Sequence, residues 1–470
     1  MRVSLALGGT TPATIQEDLY TDRRGPAAWQ ERTSCTQMYG EGKLAIQDLA
    51  IINERVRSPN IIIALCGLLI LFDGYDLIVY GAVAPALLGE ASWGLTPGMV
   101  GRAASITLFG MLLGALVAGT LADRIGRRKV IIGSLLSFSV MMIGSGLAPN
   151  FLAFEGTRFL AGLGLGALFP TVTALIIEFS PPKRKAMAYS IALLGYLAGG
   201  IISGILGMLL IQKYGWRPLM IIGGAPILLL PFFIRLIPES PEWLATKNRQ
   251  TEANQIANQY GLPNPVARPA ASRQVGIRSL FSEGRLLPTL NAWGIHFCSL
   301  LLTFGMVNWL PTIMNKMGYD LGSALLFSVT LNLGAAVGLL IGARIADRGN
   351  VKIVVAGMFL LGACSIWLLT QVDQGLQVYG LVALAGTGTI GTQILANVLV
   401  GNLYPVEIRG TGLGFSLGIG RIGGMIGPAI GGAVLGAGLA PQWNFYIFAS
   451  VGVLGCVLAL MTLLYRKKAD

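Results

Sequence analysis

The sequence predicts an all-α polytopic membrane protein whose twelve transmembrane helices form two pseudo-symmetric six-helix bundles. Three observations predict it. The 470-residue chain is 54% hydrophobic and only 12% charged, with a mean hydropathy of +0.67. After residue 59 the chain is a succession of apolar stretches, each near the roughly 20 residues that a helix needs to cross a bilayer. The two halves also repeat: Asp123-Arg124 recurs as Asp347-Arg348, and Pro181 with Lys185 recurs as Pro405 with Arg409, at one and the same offset. The 64 glycines fit this class, because glycine lets membrane helices approach closely.

In chain order, residues 1–58 are polar, with Arg23-Arg24 and Glu31-Arg32, and the apolar patch Val3 to Leu7 is too brief for a signal-peptide core. They read as a cytoplasmic tail, with a short amphipathic helix from Ala45 and with Met38 as an alternative start. Spans are expected at 60–84, 99–121, 130–148, 152–177, 187–211 and 218–237, making a bundle over 59–237. A polar stretch rich in Asn, Gln, Arg and Pro, 238–288, reads as a cytoplasmic central loop. Spans at 289–312, 323–343, 353–371, 377–401, 411–436 and 444–464 make the second bundle over 289–465, followed by a tail, 466–470. With the N-terminus inside, most of the 34 Lys and Arg fall on the cytoplasmic side, which fixes both termini there by the positive-inside rule. The net charge of +12 is thereby explained without nucleic acid. Cys35, Cys66, Cys298, Cys364 and Cys456 make no CxxC, so neither a metal site nor a disulfide framework is expected. No catalytic triad, phosphate loop or cofactor motif supports an enzyme.

The first span carries Asp73-Gly74-Tyr75-Asp76 near mid-membrane. An ionised Asp there costs about 2.5–3.5 kcal/mol on insertion scales. Two aspartates three residues apart share a helix face. Either they are buried against a structural arginine, or they form a proton or ligand site. The functional reading is favoured.

Gly119 to Lys129, GTLADRIGRRK, resembles the loop signature of the major facilitator superfamily. Its Gly119, Asp123, Arg124, Gly126, Arg127 and Arg128 read as a charged latch, in which Asp123 caps the next element or pairs with a basic neighbour. The second copy, with Asp347 and Arg348, is degraded: Ala343 replaces the leading Gly. Arg158 to Ala167 looks like the family's fourth-helix motif, Pro238 to Trp243 its stretch after the sixth helix, and Tyr404 to Arg409 its loop after the tenth. DGYD resembles the signature of the aromatic acid:proton symporters, as do Trp309-Leu-Pro311 and Gly418-Ile-Gly-Arg421, with a lean toward benzoate over hydroxybenzoate carriers. Residues 1–43 lie outside the resemblance. It implies inward symport of a small aromatic carboxylate with protons across the inner membrane, a monomer as functional unit, and a need for Asp73 and Asp76. Alternatives are a carrier of another organic acid or a sugar, and a sensor of aromatic acids.

An aromatic carboxylate needs a cation and an apolar slot with aromatic walls. Arg421 is the favoured substrate cation. Arg158 is read as pairing with Glu155 or with the aspartate face, which joins Glu155 and Arg158 to the proton-coupling set. Tyr75, Phe304 and Trp309 are wall candidates, with Tyr80, Phe109 and Phe169 behind them, and Asn308 is a hydrogen-bonding candidate for ring substituents. His296, the only histidine, reads as an interhelical hydrogen-bonding group ahead of a proton relay.

Overall fold

The computed structural model describes residues 58–181, 185–265, 277–282, 284–372, 375–405 and 408–465. The tail at 1–57 with Met38 and its amphipathic segment, Val406-Glu407 of the post-tenth-span motif, and the tail at 466–470 lie outside the described residues.

Twelve helices are long and apolar enough to cross a membrane: Asn60–Leu88, Pro97–Ile125, Arg127–Gly146, Phe151–Phe179, Met187–Tyr214, Arg217–Leu236, Leu286–Lys316, Leu321–Arg348, Val351–Leu368, Leu376–Gly401, Arg409–Gly436 and Gln442–Leu464. They are called spans 1 to 12 below. The described residues are helical, with no strand among them. Short polar residues start several spans by accepting an otherwise unpaired N–H: Thr96 from Met99, Asn150 from Ala153 and Asp320 from Ser323. Span 6 departs from the expected single helix. It breaks after Gly223 and restarts at Pro226, where a proline suits a first turn. Span 10 contains a π-helical turn at Thr387–Gly391.

Backbone proximity places span 1. A Cβ on Gly74 would overlap the backbone of Tyr196 in span 5, and Gly195 and Gly199 of span 5 lie on Gly67 and Leu71 of span 1. Glycine between the two aspartates thus lets a neighbouring helix seat directly against the charged stretch, which fixes both carboxylates.

The two halves of the chain meet at one end of the bundle. Gly81 of span 1 lies against the Val307 carbonyl of span 7. Gly101 of span 2 lies against Pro428, Gly432 and the Trp309 ring. Gly204 of span 5 touches Val329 of span 8. Ser105 Oγ donates to the Met425 carbonyl at 2.7 Å, and Arg421 Nη1 to the Met111 carbonyl at 2.9 Å. These are the hydrogen bonds between the halves among the described residues. Toward the opposite end of span 11, Gly414 and Gly418 face open space. The sealed end is the one that carries the loop 89–96. There Trp93 meets Trp216 edge-on at 5.4 Å, and the Arg217 guanidinium lies 4.7 Å from the Trp216 ring centre. The Ser92 hydroxyl and the Trp216 N–H, both donating to Glu90, hold that carboxyl below its usual range.

Gly81→Val places side-chain atoms where the Val307 carbonyl now sits. Overpacking costs about 1–3 kcal/mol, which shifts a two-state equilibrium roughly 5- to 150-fold. The variant is expected to insert normally but to populate a state open at the 89–96 end. Labelling of Ser105→Cys in the Gly81→Val background by a membrane-impermeant maleimide, applied from that side, should rise well above the rate in Ser105→Cys alone.

Candidate functional site

Span 1 delivers its two carboxylates to different partners. Asp76 is fully buried and forms a bidentate ion pair with Arg158 of span 4: Nη1 donates to Oδ1, and Nη2 to Oδ2 at 3.2 Å. The fork-to-fork geometry suits a planar guanidinium and a carboxylate. The Tyr80 ring lies 5.7 Å from the guanidinium carbon. Asp73, one turn earlier, is also buried, yet its Oδ1 has no hydrogen-bond partner and it forms no ion pair among the described residues. The charges in electrostatic reach of it are Asp76 and Arg421.

Arg421 reaches across from span 11 in the second half of the chain. It is half-buried, and one guanidinium nitrogen is tied to the Met111 carbonyl in the first half. A backbone carbonyl offsets part of a guanidinium's hydrogen-bonding need but none of its charge. The mid-membrane set is therefore two carboxylates and two guanidiniums. One pair is closed, and the other is held apart.

Glu155 does not join this set. It takes Arg102 of span 2 in a second bidentate pair, at 2.8 and 3.0 Å, nearer the sealed end. Arg102 lies 53 residues from Glu155 in the sequence, so only their proximity in space reveals the pairing. Tyr75 spends its hydroxyl on the Leu219 carbonyl at 2.9 Å, which ties span 1 to span 6. Trp309 is buried and donates to the Pro428 carbonyl at 2.8 Å, locking spans 7 and 11. Phe304 packs on Gly424, one turn beyond Arg421. Asn308 uses its amide N–H on the Phe304 carbonyl at 2.7 Å. Among the wall candidates, Phe304 lies beside the turn that carries Arg421. His296 bridges Ser416 at 2.6 Å and Asn397 at 3.2 Å, binding span 7 to spans 11 and 10 within the second half.

The loop signature is tied to the stretch after span 6. Gly126 has φ +99°, a conformation that favours glycine, and the Glu239 carboxylate lies where its Cβ would be. Glu239 accepts the Arg128 N–H at 3.0 Å and so caps span 3, the role the sequence offered to Asp123. Asp123 is exposed, its carbonyl accepts the Trp243 indole N–H at 3.0 Å, and its charge acts on Arg127. Arg127 pairs with Glu178 at the end of span 4, and Arg128 donates to the Ile234 carbonyl. Arg124 is exposed, and Gly119 has open space at its Cβ position. In the second copy, Asp347 and Arg348 are exposed and bonded to none of the described residues.

The family whose signature the chain matches is the Major Facilitator Superfamily, over residues 66–428 and 322–470. Among curated proteins, the chain is 35% identical over 414 residues to a benzoate transport protein of Acinetobacter baylyi, covering 85% of this chain and 88% of that one. It is 35% identical to a gentisate transporter of Corynebacterium glutamicum, covering 85% and 86%. It is 31% identical to a 4-hydroxybenzoate transporter, PcaK, of Pseudomonas aeruginosa, covering 89% and 95%. Among solved structures it superposes on a partially occluded inward open conformation of the xylose transporter XylE from E. coli, with a TM-score of 0.68, 16% identity, and 87% and 98% covered. A bacterial homologue of the human lysosomal transporter Spinster, inward-facing and occupied, also matches with a TM-score of 0.68, 16% identity, and 87% and 97% covered.

Breaking a buried ion pair from one side costs about 3–5 kcal/mol, because the remaining charge is stranded. Asp76→Asn and Arg158→Gln should each lower the thermal stability of the purified protein sharply. The double variant should recover a large part of the loss, since it strands no charge. Asp73→Asn breaks no ion pair and should cost clearly less stability than Asp76→Asn. Additive losses in the double variant would show that the pair is not the unit.

Proposed function

This chain belongs to the Major Facilitator Superfamily, and from that premise we propose that it is a symporter that carries a small aromatic carboxylate such as benzoate or 4-hydroxybenzoate inward with a proton. A multi-pass membrane transporter with relatives for benzoate, gentisate and 4-hydroxybenzoate has an aromatic acid as its natural cargo. The plasma membrane is its site, with both termini and the 238–288 loop in the cytoplasm. In that orientation the sealed end faces outward, and the described state is open to the cytoplasm.

The observation that carries the coupling is the charge inventory at mid-membrane. Asp73, Asp76, Arg158 and Arg421 sum to zero when all are ionised. A substrate carboxylate adds one negative charge, and an uncompensated charge in this region is expensive. One proton on Asp73 restores neutrality. Asp76 is unsuited to that task while Arg158 holds both its oxygens. Asp73 is suited to it, because protonation there breaks no ion pair. Arg421 then serves two anions in turn. With Asp73 ionised, Arg421 answers its charge across the site. With Asp73 protonated, it is free for the substrate carboxylate. The bound ring lies toward Phe304, and Asn308, whose amide oxygen remains uncommitted, meets a ring hydroxyl.

Turnover follows by alternating access. The seal between spans 1 and 7, 2 and 11, and 5 and 8 must open outward while the opposite ends close. The latch residues Asp123, Arg127 and Arg128 are tied to the end of span 4 and to the stretch after span 6 in the present state, which leaves the opposite half free to move against them.

Asp73→Asn mimics the protonated carboxyl. It should keep exchange of labelled for unlabelled benzoate in liposomes and lose accumulation against a gradient. Its benzoate affinity should not vary with pH, whereas wild-type affinity falls as pH rises through the titration of Asp73. Arg421→Ala removes the cation of a desolvated carboxylate, a loss of about 2 kcal/mol or more, so affinity should drop at least about 30-fold. Accumulation of benzoate by Asp73→Asn at normal expression would sink the assignment of the proton.

A further inference from the structure

A second binding surface lies away from the charged centre, on the outer face of spans 8, 9 and 10. A groove of about 670 Å³ runs between them, lined among others by Gly338, Gly342, Ile345, Gly357, Leu361 and Thr387. Its walls are apolar. The two hydroxyls on its lining are spent on the backbone: Thr330 donates to the Leu326 carbonyl at 3.0 Å, and Thr387 to the Gly334 carbonyl at 2.9 Å. Nothing lies within 4 Å of a Cβ built on Gly357, so the groove is open above that residue.

The groove continues into a second hollow of about 390 Å³, through the shared residues Ile341 and Ile345. That hollow is lined by Arg344, Arg348 and Gly349 at the end of span 8. The two arginines are four apart and project from one helix face. Both are exposed, and neither forms an ion pair or hydrogen bond with any described residue. Asp347 sits between them in sequence and is itself exposed and unpaired, so the local charge is net positive. These are residues of the degraded second copy of the loop signature. In the first copy, Arg127 pairs with Glu178, and the Arg128 guanidinium donates to the Ile234 carbonyl. Here the basic residues have no such protein partner.

An apolar slot on the outer face of membrane-spanning helices that opens onto two unpaired guanidiniums at the end of span 8 has the chemistry of one ligand class. We propose that the groove of spans 8 to 10 binds an anionic phospholipid, with an acyl chain along Gly338, Gly342 and Gly357 and the phosphate on Arg344 and Arg348. A guanidinium binds phosphate oxygens in a bidentate fork, and juxtamembrane arginines favour anionic over zwitterionic lipid. Gly338 and Gly342 let Thr387 and Met358 pack close at the floor of the groove, and the missing side chain at Gly357 leaves room for a chain. The bound lipid fills the space between spans 8, 9 and 10 beside the π-helical turn, and so stabilises that half of the molecule.

The test is native mass spectrometry and thermal unfolding of the purified full-length transporter with phosphatidylglycerol, and with phosphatidylcholine as the zwitterionic control. The wild type is expected to retain phosphatidylglycerol preferentially and to unfold at a higher temperature with it. Arg344→Gln with Arg348→Gln should lose about tenfold or more of the affinity for phosphatidylglycerol, with phosphatidylcholine binding unchanged. Gly357→Leu places a side chain in the slot, with its Cβ in open space, and should weaken both lipids. Undiminished preference for phosphatidylglycerol in the double arginine variant, or undiminished binding in Gly357→Leu, would overturn the proposal. Benzoate affinity measured on the same samples separates this outcome from a failure of the transport reading, which involves none of these residues.

Discussion

The buried pair of Asp76 and Arg158 is the constraint on which the rest of the centre depends. An unpaired charge at mid-membrane is costly, and this pair is closed on both oxygens within the first half of the chain. Once it is closed, Asp73 and Arg421 are left as the mid-membrane charges with no ion pair among the described residues. They sit on opposite halves, so whatever changes their attraction acts directly on the contact between the halves. The bond from Arg421 to the Met111 carbonyl makes that contact explicit, since the side chain that answers Asp73 also ends the seal between spans 2 and 11.

Close backbone packing makes the arrangement rigid where it must be and movable elsewhere. Gly74 allows Tyr196 of span 5 to press on span 1, so the two aspartates cannot drift apart. Between the halves the approach is equally close, but it involves carbonyls and glycines with few side-chain bonds. Such a surface has little directional bonding to break when it parts. Closure around a central site, with hinge and shear motions of packed helices, is the general means by which such bundles alternate.

Much of this was legible in the sequence. Twelve spans follow from apolar length alone, and each lies within a few residues of its expected limits. The family followed from GTLADRIGRRK and DGYD, as the comparisons bear out. What the sequence withheld was pairing. Spacing put Asp73 and Asp76 on one face but gave no sign that only one would meet Arg158. Arg158 was read with either Glu155 or the aspartate face; it takes Asp76, while Glu155 turns to Arg102 on another span. Tyr75 and Trp309 read as ring contacts, whereas their polar atoms hold neighbouring helices together, as buried Tyr and Trp commonly do. The cap supplied by Glu239 lies more than a hundred residues from the helix it caps, so no local pattern marks it.

The central claim is that one proton on Asp73 balances one substrate carboxylate, so that a transport cycle moves no net charge. The most direct measurement is uptake of labelled benzoate into liposomes bearing the purified protein, with a pH gradient and a membrane potential imposed separately. A potential acts on a moved charge with about 2.3 kcal/mol per 100 mV. The account predicts accumulation when the pH gradient is imposed, of the same size with or without an inside-negative potential. Accumulation driven by the potential alone, at equal pH on both sides, would require a second proton and would contradict it.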